Sequence, residues 1–277
     1  MKLLNYSMLF VSLSLGQNAS ASVWGSIKNA FNDCRYTNEE RAEITQLEMM
    51  ITPKLPEHFA GVFSEEMFTK QPWMRDFRYV IVVNKGTKGN LAQTMRVYET
   101  GRLIHQAKVS TGREGFELKR KNPVCSGAPP KSYWSQTPTG FYTPKFLSKD
   151  HVSSSWDSDM PYAIFYDIDN GLALHQVYFK YESLLGNRAS GGCTRQDPET
   201  AAELFKRVQE TTGYTIPEVR EDGTPVRNGD GSIRYINEQF WTNKKTGQVV
   251  KYPTYSALII IENRDNERES LFTRSSW

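Results

Sequence analysis

Residues 171–195 read GLALHQVYFKYESLLGNRASGGCTR, and this stretch holds a histidine and a cysteine that a fold can bring together. Its first part is an apolar run that ends at His175, which predicts a strand that fixes the direction of the imidazole. Its last part sets Cys193 directly after Gly191 and Gly192, where the backbone can bend tightly. The interval between them accommodates a strand end, a loop and a turn, so the two side chains can meet.

The cysteine in the glycine turn has two interpretations. It is either a small side chain buried in a bend or a nucleophile that the bend presents. A nucleophilic thiol needs a nearby base or positive charge, because the thiolate is the attacking form. The bend also allows the N–H groups of Gly192 and Cys193 to point at one spot, where they can hold the oxyanion of a tetrahedral intermediate. The residues alone leave both interpretations open.

The chain has four histidines, and each is a candidate base or a structural residue. His58 lies in a proline-flanked extension, His105 lies in the middle of a predicted strand, and His151 opens a serine-rich loop. His175 is the strongest candidate because its strand fixes its direction. The sequence contains no CxxC, HxH or HExxH pattern, so we expect no metal site.

Composition and the amino terminus bear on location. The 277 residues carry a formal net charge of +3, and no basic cluster with interleaved aromatic residues indicates a nucleic-acid partner. Residues 1–21 are typical of a signal peptide, with the apolar run Leu3–Leu15 and a small-residue cleavage site that ends at Ala21. No later segment is long and apolar enough to span a bilayer, so we expect an exported, soluble mature chain.

The remaining sequence divides into three parts. Residues 22–75 read as a helical extension, residues 76–263 as a β-rich domain, and residues 264–277 as a polar tail. Period-two alternation and Gly or Pro turns predict several short strands in the domain, with a long loop at 112–136. One clear helix follows Cys193, since Asp197 is an N-cap residue and Pro198 suits the first helical position.

Several motifs in order resemble those of the YkuD-type L,D-transpeptidase catalytic domain. They are His175 after an apolar strand, the Leu-Gly pair before SGGCTR, and the helix PETAAELFKRV, preceded upstream by VSTGREG (109–115) and TPTGFY (137–142). The resemblance spans about residues 78–213 and the strand at 255–262. It implies a mainly β fold, a sandwich or barrel-like catalytic domain with one main α-helix, joined here to the small helical extension.

The resemblance also implies roles for single residues. Cys193 matches the family's nucleophile, His175 matches the base, and the backbone carbonyl of Gln176 matches the group that orients the imidazole. Arg195 matches a polar residue at the donor site, and Ser190 and Gly191 of the same motif are assigned to the substrate. The chain departs from the family at Gly191, where the family usually has a histidine that is not the general base.

The function implied is peptidoglycan transpeptidation without a cofactor, in the periplasm or cell wall. The thiolate attacks a tetrapeptide stem, D-alanine leaves, and an amine resolves the thioester. That amine belongs to a second stem, to a free D-amino acid, or to a lysine of a wall-anchored lipoprotein. The alternatives are an L,D-carboxypeptidase that uses water, and a weakly active peptidoglycan-binding protein that uses the cleft as a peptide site.

The cysteine count suggests a disulfide. The chain has three cysteines, and in an oxidising compartment an odd count leaves one thiol over. We expect Cys34 and Cys125 to form a bridge that leaves Cys193 free and ties the 112–136 loop to the extension. In the chain-entropy view, a closed loop of this size stabilises the fold by about 3–5 kcal/mol.

Overall fold

The computed structural model describes residues 46, 49–119, 131–153, 158–244 and 246–266. The chain divides into two compact units, one of Met1–Lys54 with Phe116–Trp134 and one of Leu55–Gly115 with Ser135–Trp277. The predicted signal peptide and both cysteines of the predicted disulfide, Cys34 and Cys125, lie outside the described residues, so these stay predictions.

The described part of the chain is mainly β, as the sequence predicts. Two α-helices have defined bounds, α1 (Met67–Lys70) and α2 (Pro198–Gln209), and residues 46 and 49–51 are also α-helical. Short 3₁₀ helices lie at Pro72–Asp76, Phe179–Leu184 and Arg264–Asn266. The strands are β1 (Tyr79–Asn84), β2 (Thr94–Glu99), β3 (Arg102–Lys108), β4 (Phe116–Lys119), β5 (Lys131–Trp134), β6 (Gly140–Tyr142), β7 (Phe146–Ser153), β8 (Ser158–Asp167), β9 (Leu172–Gln176), β10 (Thr194–Gln196), β11 (Ile216–Pro217), β12 (Tyr235–Ile236), β13 (Glu238–Thr242), β14 (Val249–Pro253) and β15 (Ala257–Glu262).

A five-stranded sheet has the order β3-β2-β1-β15-β6, and the last strand in the chain lies inside it. β15 pairs in parallel with β1 and antiparallel with β6. Every residue of β1 and of β15 is buried, because both faces of the sheet are covered. This explains why YVIVVN and ALIIIE are apolar almost throughout instead of alternating.

A four-stranded sheet has the order β10-β9-β8-β7, and its inner face shares a core with the first sheet. Leu172 and Leu174 of β9 point into this core, beside Ile81 of β1 and Ile259 of β15. Ala173 lies on the opposite face, in a separate apolar cluster, as the period of a strand requires. His175, two residues on from Ala173, shares that outer face.

Helix α2 begins as the sequence predicts. The carboxylate of Asp197 accepts a hydrogen bond of 2.9 Å from the N–H of Thr200, and Pro198 occupies the first turn. The apolar face of the helix adds three residues to the main core, Leu204, Phe205 and Val208.

The larger unit starts earlier in the chain than the predicted domain boundary at residue 75. Phe63, Phe68, Trp73 and Met74 are buried against the outer face of the five-stranded sheet, so the unit begins at Leu55. These large side chains cover the alternate residues of β1 and β15 that point away from the main core. The predicted tail also begins with structure, since residues 264–266 form a 3₁₀ helix.

The ends of the predicted 112–136 loop are strands. In the smaller unit, β4 pairs antiparallel with β5, and the rings of Phe116 and Trp134 meet edge-on with centroids 5.3 Å apart. The indole N–H of Trp134 donates to the carbonyl of Thr52 at 2.8 Å. None of the described helices combines the length and the apolar character that crossing a bilayer requires.

Candidate active site

The site lies on the outer face of the four-stranded sheet, where β9 and β10 run side by side. β10 pairs in parallel with β9, so that Arg195 lies directly across from His175. Cys193 is two residues before Arg195 and packs beside Ala173 on the same outer face. Strand spacing and rise then put the Cα atoms of His175 and Cys193 roughly 8 Å apart on one face of the sheet.

The thiol of Cys193 has mainly apolar neighbours. It is partly buried, and it packs against a cluster formed by Met160, Ala163, Phe165 and Ala173. Its S–H donates to the carbonyl of Gly171 at 3.5 Å. Burial raises the pKa of the thiol, and the backbone of Ala173 and the charge of Arg195 offset only part of that shift. The thiol is therefore protonated at neutral pH and needs a base to react.

The imidazole of His175 is buried and held in one orientation. Its Nδ1 lies 2.7 Å from the carbonyl of Gln176, and because a carbonyl only accepts, Nδ1 carries the hydrogen. Burial lowers the pKa of His175 to about 4; the bond to Gln176 opposes this shift, and the charge of Arg195 adds to it. The ring is thus neutral at pH 7, with the lone pair on Nε2, which is the state that a proton acceptor requires.

The turn before Cys193 is shaped by a buried serine and a glycine. The hydroxyl of Ser190 donates to the carbonyl of Cys193 and accepts the N–H of Gly192 at 3.0 Å. Gly192 has φ of +136°, and a Cβ there would lie 3.0 Å from the carbonyl oxygen of Gln136. A larger residue at 192 would therefore be strained and crowded.

These contacts revise two expectations. Ser190 is fully buried and uses its hydroxyl inside the turn, so in this structure it shapes the turn and does not face a substrate. The Gly192 N–H donates to the hydroxyl of Ser190, so it is engaged inside the turn and is not left for an oxyanion. Gly191 and Arg195 are both partly exposed, and Arg195 lines a cavity described below.

A second buried hydroxyl, that of Thr137, connects the turn to the loop at Gly112. Thr137 Oγ1 donates to the carbonyl of Gly192 at 2.6 Å and accepts the N–H of Gly112 at 2.8 Å. The N–H of Thr137 donates to the carboxylate of Glu114 at 3.1 Å, and Glu114 forms an ion pair with buried Lys85 at 3.2 Å. These hydrogen bonds bring the motifs VSTGREG and TPTG together next to the turn that precedes Cys193. The sequence contained both motifs, but only the tertiary contacts give Thr137 a role.

We expect Thr137→Val to slow the reaction of Cys193 with iodoacetamide about tenfold or more, while Thr137→Ser stays near the wild type. Valine keeps the branched shape but leaves the carbonyl of Gly192 and the N–H of Gly112 without their partner, at about 1–3 kcal/mol for each buried group. The measurement is the second-order alkylation rate, taken well below the unfolding temperature of each variant. An equal effect of valine and serine would contradict a role for the hydroxyl.

The other three histidines lie in different surroundings. His58 pairs with Glu221 at 3.0 Å, and His105 Nε2 lies 3.0 Å from Thr200 Oγ1 in a cavity between β3 and α2. His151 contacts Phe165 edge-on, with centroids 4.8 Å apart, and its charge contributes to the low pKa of His175. His151 therefore lies close to the site, a proximity that the sequence did not indicate.

A cavity of about 440 Å³ opens beside His175. Its lining includes Arg195, the acidic Asp159, the basic Lys180, and the rings of Tyr178 and Tyr181. The last four of these carry no signal in the sequence, because they come from two elements whose approach depends on the fold. Within the described ranges, no group of three His, Cys, Asp or Glu side chains is arranged to hold a metal ion.

The fold and the site define a β-rich domain with a cysteine and a neutral histidine on one sheet face. The sequence profile of the YkuD family, described as the L,D-transpeptidase catalytic domain, matches residues 78–227, which is more than half of the chain. The chain therefore belongs to the YkuD family, and the resemblance noted in the sequence is confirmed.

The solved structures that match the chain include several L,D-transpeptidases. One is LdtMt1 in complex with imipenem, at 14% identity and a TM-score of 0.37, with 67% of this chain and 59% of that chain covered. Another is from Mycobacterium smegmatis, at 13% identity and a TM-score of 0.38, with 67% and 58% covered. A third is the catalytic domain from E. faecium, at 17% identity and a TM-score of 0.32, with 47% and 89% covered.

The chain thus spans less than two thirds of the length of the first two structures. No curated protein matches the chain.

Proposed function

We propose that this protein is an exported L,D-transpeptidase that acts on tetrapeptide stems of peptidoglycan through a thioester on Cys193. The observation that carries the proposal is the shared sheet face of His175 and Cys193, with Nδ1 of the histidine engaged by the Gln176 carbonyl. This arrangement leaves Nε2 to accept the thiol proton, which is the general-base role that a protonated thiol needs.

The first half of the reaction forms the thioester. Nε2 of His175 takes the proton of the Cys193 thiol, and the sulfur attacks the carbonyl of the third stem residue. The S–C bond forms, the C–N bond to the terminal D-alanine breaks, and the imidazolium returns its proton to the leaving amine. The N–H of Cys193 is the backbone donor assigned to the oxyanion, since the Gly192 N–H is engaged by Ser190.

The second half releases the acyl group to an acceptor. An amine attacks the thioester carbonyl, the C–S bond breaks, and His175 passes a proton of the amine to the sulfur. If water were the acceptor, the product would be the tripeptide of an L,D-carboxypeptidase. A protein that only binds stems would leave them unchanged, and the absence of the usual family histidine at Gly191 is the feature that favours that alternative.

One assay discriminates these three functions. Purified mature protein is incubated with tetrapeptide muropeptides, and the products are separated and weighed by mass spectrometry. Cross-linked dimer, or exchange of the terminal D-alanine for an added D-amino acid, is the expected result. Tripeptide alone would identify a carboxypeptidase, and unchanged substrate after long incubation would reject the enzymatic proposal.

The low pKa of His175 predicts activity that persists in mild acid. A histidine whose folded-state pKa is depressed to about 4 stays neutral, and so able to accept a proton, until the pH falls through that value. We expect kcat/KM for acylation by a carbapenem to keep most of its pH 7 value at about pH 5.5. An imidazole of ordinary pKa would lose about tenfold by then.

Arg195→Gln tests whether the low pKa of His175 sets the acid limb of this pH profile. Removing the positive charge beside His175 should move the acid limb of the profile upward, because Arg195 contributes to the low pKa. Intact-mass time courses between pH 4 and pH 8 measure the rate, and circular dichroism checks that the protein stays folded. An acid limb near pH 6.5 in the wild-type protein would contradict a buried, neutral base.

A further inference from the structure

A segment of the predicted amino-terminal extension lies along residues 136–139, here called the support loop. The side chain of Gln136 donates to the carbonyl of Leu55 at 2.8 Å and accepts the N–H of Leu55 at 2.9 Å. Further along the extension, the N–H of His58 donates to the carbonyl of Thr139 at 2.8 Å. The extension therefore pairs with the support loop at both of its ends.

Glu57 is the charged contact between these two segments. One of its carboxylate oxygens accepts the N–H of Thr139 at 2.6 Å, and the other accepts hydrogen bonds from Gln136 at 2.8 Å and from Lys85 at 2.6 Å. The side chain of Lys85 is buried, with 3% of its area exposed. Burial alone would raise the pKa of Glu57, but these hydrogen bonds, led by that from Lys85, outweigh it and lower the pKa to about 2. Glu57 therefore stays charged at any pH at which the reaction would be assayed.

Lys85 extends the contact of Glu57 to Thr137. Its ammonium also pairs with Glu114 at 3.2 Å, and the other carboxylate oxygen of Glu114 accepts the N–H of Thr137 at 3.1 Å. Three charged side chains in series thus connect the extension to the support loop. Glu57 has two routes to Thr137, one through the backbone of that loop and one through Lys85 and Glu114.

Thr137 in turn fixes the peptide group that joins Gly192 to Cys193. Its hydroxyl donates to the carbonyl of Gly192 at 2.6 Å, and that carbonyl belongs to the same planar unit as the N–H of Cys193. Because the C=O and the N–H of one peptide unit lie in one plane, a hydrogen bond that holds the carbonyl also fixes the direction of the N–H. This N–H is the backbone donor assigned to the oxyanion in the proposed mechanism.

We infer that Glu57 is a positioning residue for the transfer reaction, which holds the support loop so that the N–H of Cys193 stays aimed at the oxyanion. The inference rests on the proposed function and adds to it a residue that lies outside the family match, which begins at residue 78. Glu57 acts through the support loop and not on the reacting atoms. Loss of its charge therefore weakens the oxyanion contact while the nucleophile and the base stay in place.

The experiment compares two reactions of the same thiol. Acylation by a carbapenem places negative charge on the carbonyl oxygen and needs the N–H of Cys193, whereas alkylation by iodoacetamide displaces iodide and forms no oxyanion. Glu57→Gln keeps the length of the side chain but has only one acceptor oxygen, so it cannot accept hydrogen bonds from both Thr139 and Lys85.

The expected result is a selective loss of acylation. Removal of an oxyanion donor costs roughly 10²–10³-fold in rate, so we expect the loosened donor of Glu57→Gln to slow acylation about tenfold and to change alkylation by less than about threefold. Both second-order rates are measured at pH 7 by intact-mass time courses on the mature protein.

A double variant tests whether Glu57 acts through Thr137. Thr137→Val removes the last contact of the route and should slow acylation more than Glu57→Gln does. The protein with both substitutions should be no more than about twofold slower in acylation than Thr137→Val alone, because residues that act through one contact give effects that do not multiply. Effects that multiply would overturn the proposal.

Two further variants control for charge and for stability. Glu66→Gln is the matched control, since Glu66 pairs with Lys70 at 2.7 Å on an exposed part of the same extension and should change neither rate. Gln136→Met removes the side-chain contacts with Leu55 and Glu57 without a change of charge, and it should lower the ratio of acylation to alkylation as Glu57→Gln does. Thermal unfolding is recorded for each variant, and the rates are taken on folded protein.

The outcomes separate this inference from the proposed function. If the wild-type protein forms no acyl-enzyme, the proposed function fails and the inference fails with it. If the wild type is acylated but Glu57→Gln and Gln136→Met keep its ratio of acylation to alkylation, or lower both rates equally, the positioning role alone is wrong. It is also wrong if neither variant folds, because the contacts would then serve stability only. A selective loss of acylation, with Glu66→Gln unchanged, supports the positioning role.

Discussion

We expect a protein that carries Cys193→Ala to form no adduct with a carbapenem, and we expect the wild-type chain to gain the mass of one drug molecule. The strained lactam carbonyl stands in for the stem carbonyl, and the Cys193 thiol that opens it is the only protein nucleophile in the proposed mechanism. Cys193→Ser should be almost as poor, because a hydroxyl does not form the accessible anion that a thiol does. Intact-mass spectrometry of the mature protein measures the adduct.

Loss of the base should slow the same reaction without abolishing it. We expect His175→Ala to reduce the acylation rate by about 10²–10⁴-fold, the usual contribution of a general base. His105→Ala is the matched control, since His105 contacts Thr200 of α2 and is assigned no role in the chemistry. An adduct on the Cys193→Ala protein, or a His175→Ala protein as fast as the wild type, would reject the assignment of this pair.

The largest expected loss of stability comes from Glu262→Ala, at the end of β15. The Glu262 carboxylate is fully buried, accepts the N–H of Phe63 at 2.6 Å, and pairs with Arg96 at 2.7 Å and Arg264 at 2.8 Å. Removing the carboxylate leaves the guanidinium of Arg96 largely buried and without the negative charge of Glu262. Breaking a buried pair in this way costs about 3–5 kcal/mol in the free energy of unfolding.

Urea denaturation measures this loss, and the exposed pair of Glu238 with Lys251 supplies the control. These two side chains lie 2.5 Å apart and are 41% and 59% exposed, so Glu238→Ala should cost less than about 1 kcal/mol. A Glu262→Ala protein within about 1 kcal/mol of the wild type would show that water or local rearrangement compensates for the lost charge.

Local signals in the sequence were sufficient for several parts of the structure. The N-cap at Asp197 begins helix α2 because a short side chain can accept a backbone N–H wherever a helix begins. The apolar run into His175 is a strand, as predicted, because its pattern depends on neighbours in sequence. The order of the motifs was sufficient to identify the family.

Pairings between distant segments were not available from those signals. The apolar run at 255–262 predicts a buried strand but not that β15 lies between β1 and β6, because such a run fits any central position in a sheet. Residues 55–75 read as an extension, yet Phe63 and Trp73 cover the sheet. Periodicity shows that a segment has an apolar face, but it does not show which partner buries that face.

The features of the candidate site can be separated in the same way into those set by the sequence and those set by the fold. The sequence by itself determined which residue types are available for the proposed chemistry, Cys193 and His175, and it supplied the glycine bend, since these follow from side-chain chemistry and from the freedom of glycine. Only the tertiary structure decided that Ser190 is used inside the turn, that Thr137 supports Gly192, and that Lys180 and Asp159 share a cavity with His175. Hydrogen bonds and charge fields act through space over a few ångströms, so they depend on which segments the fold brings together and not on their separation along the chain.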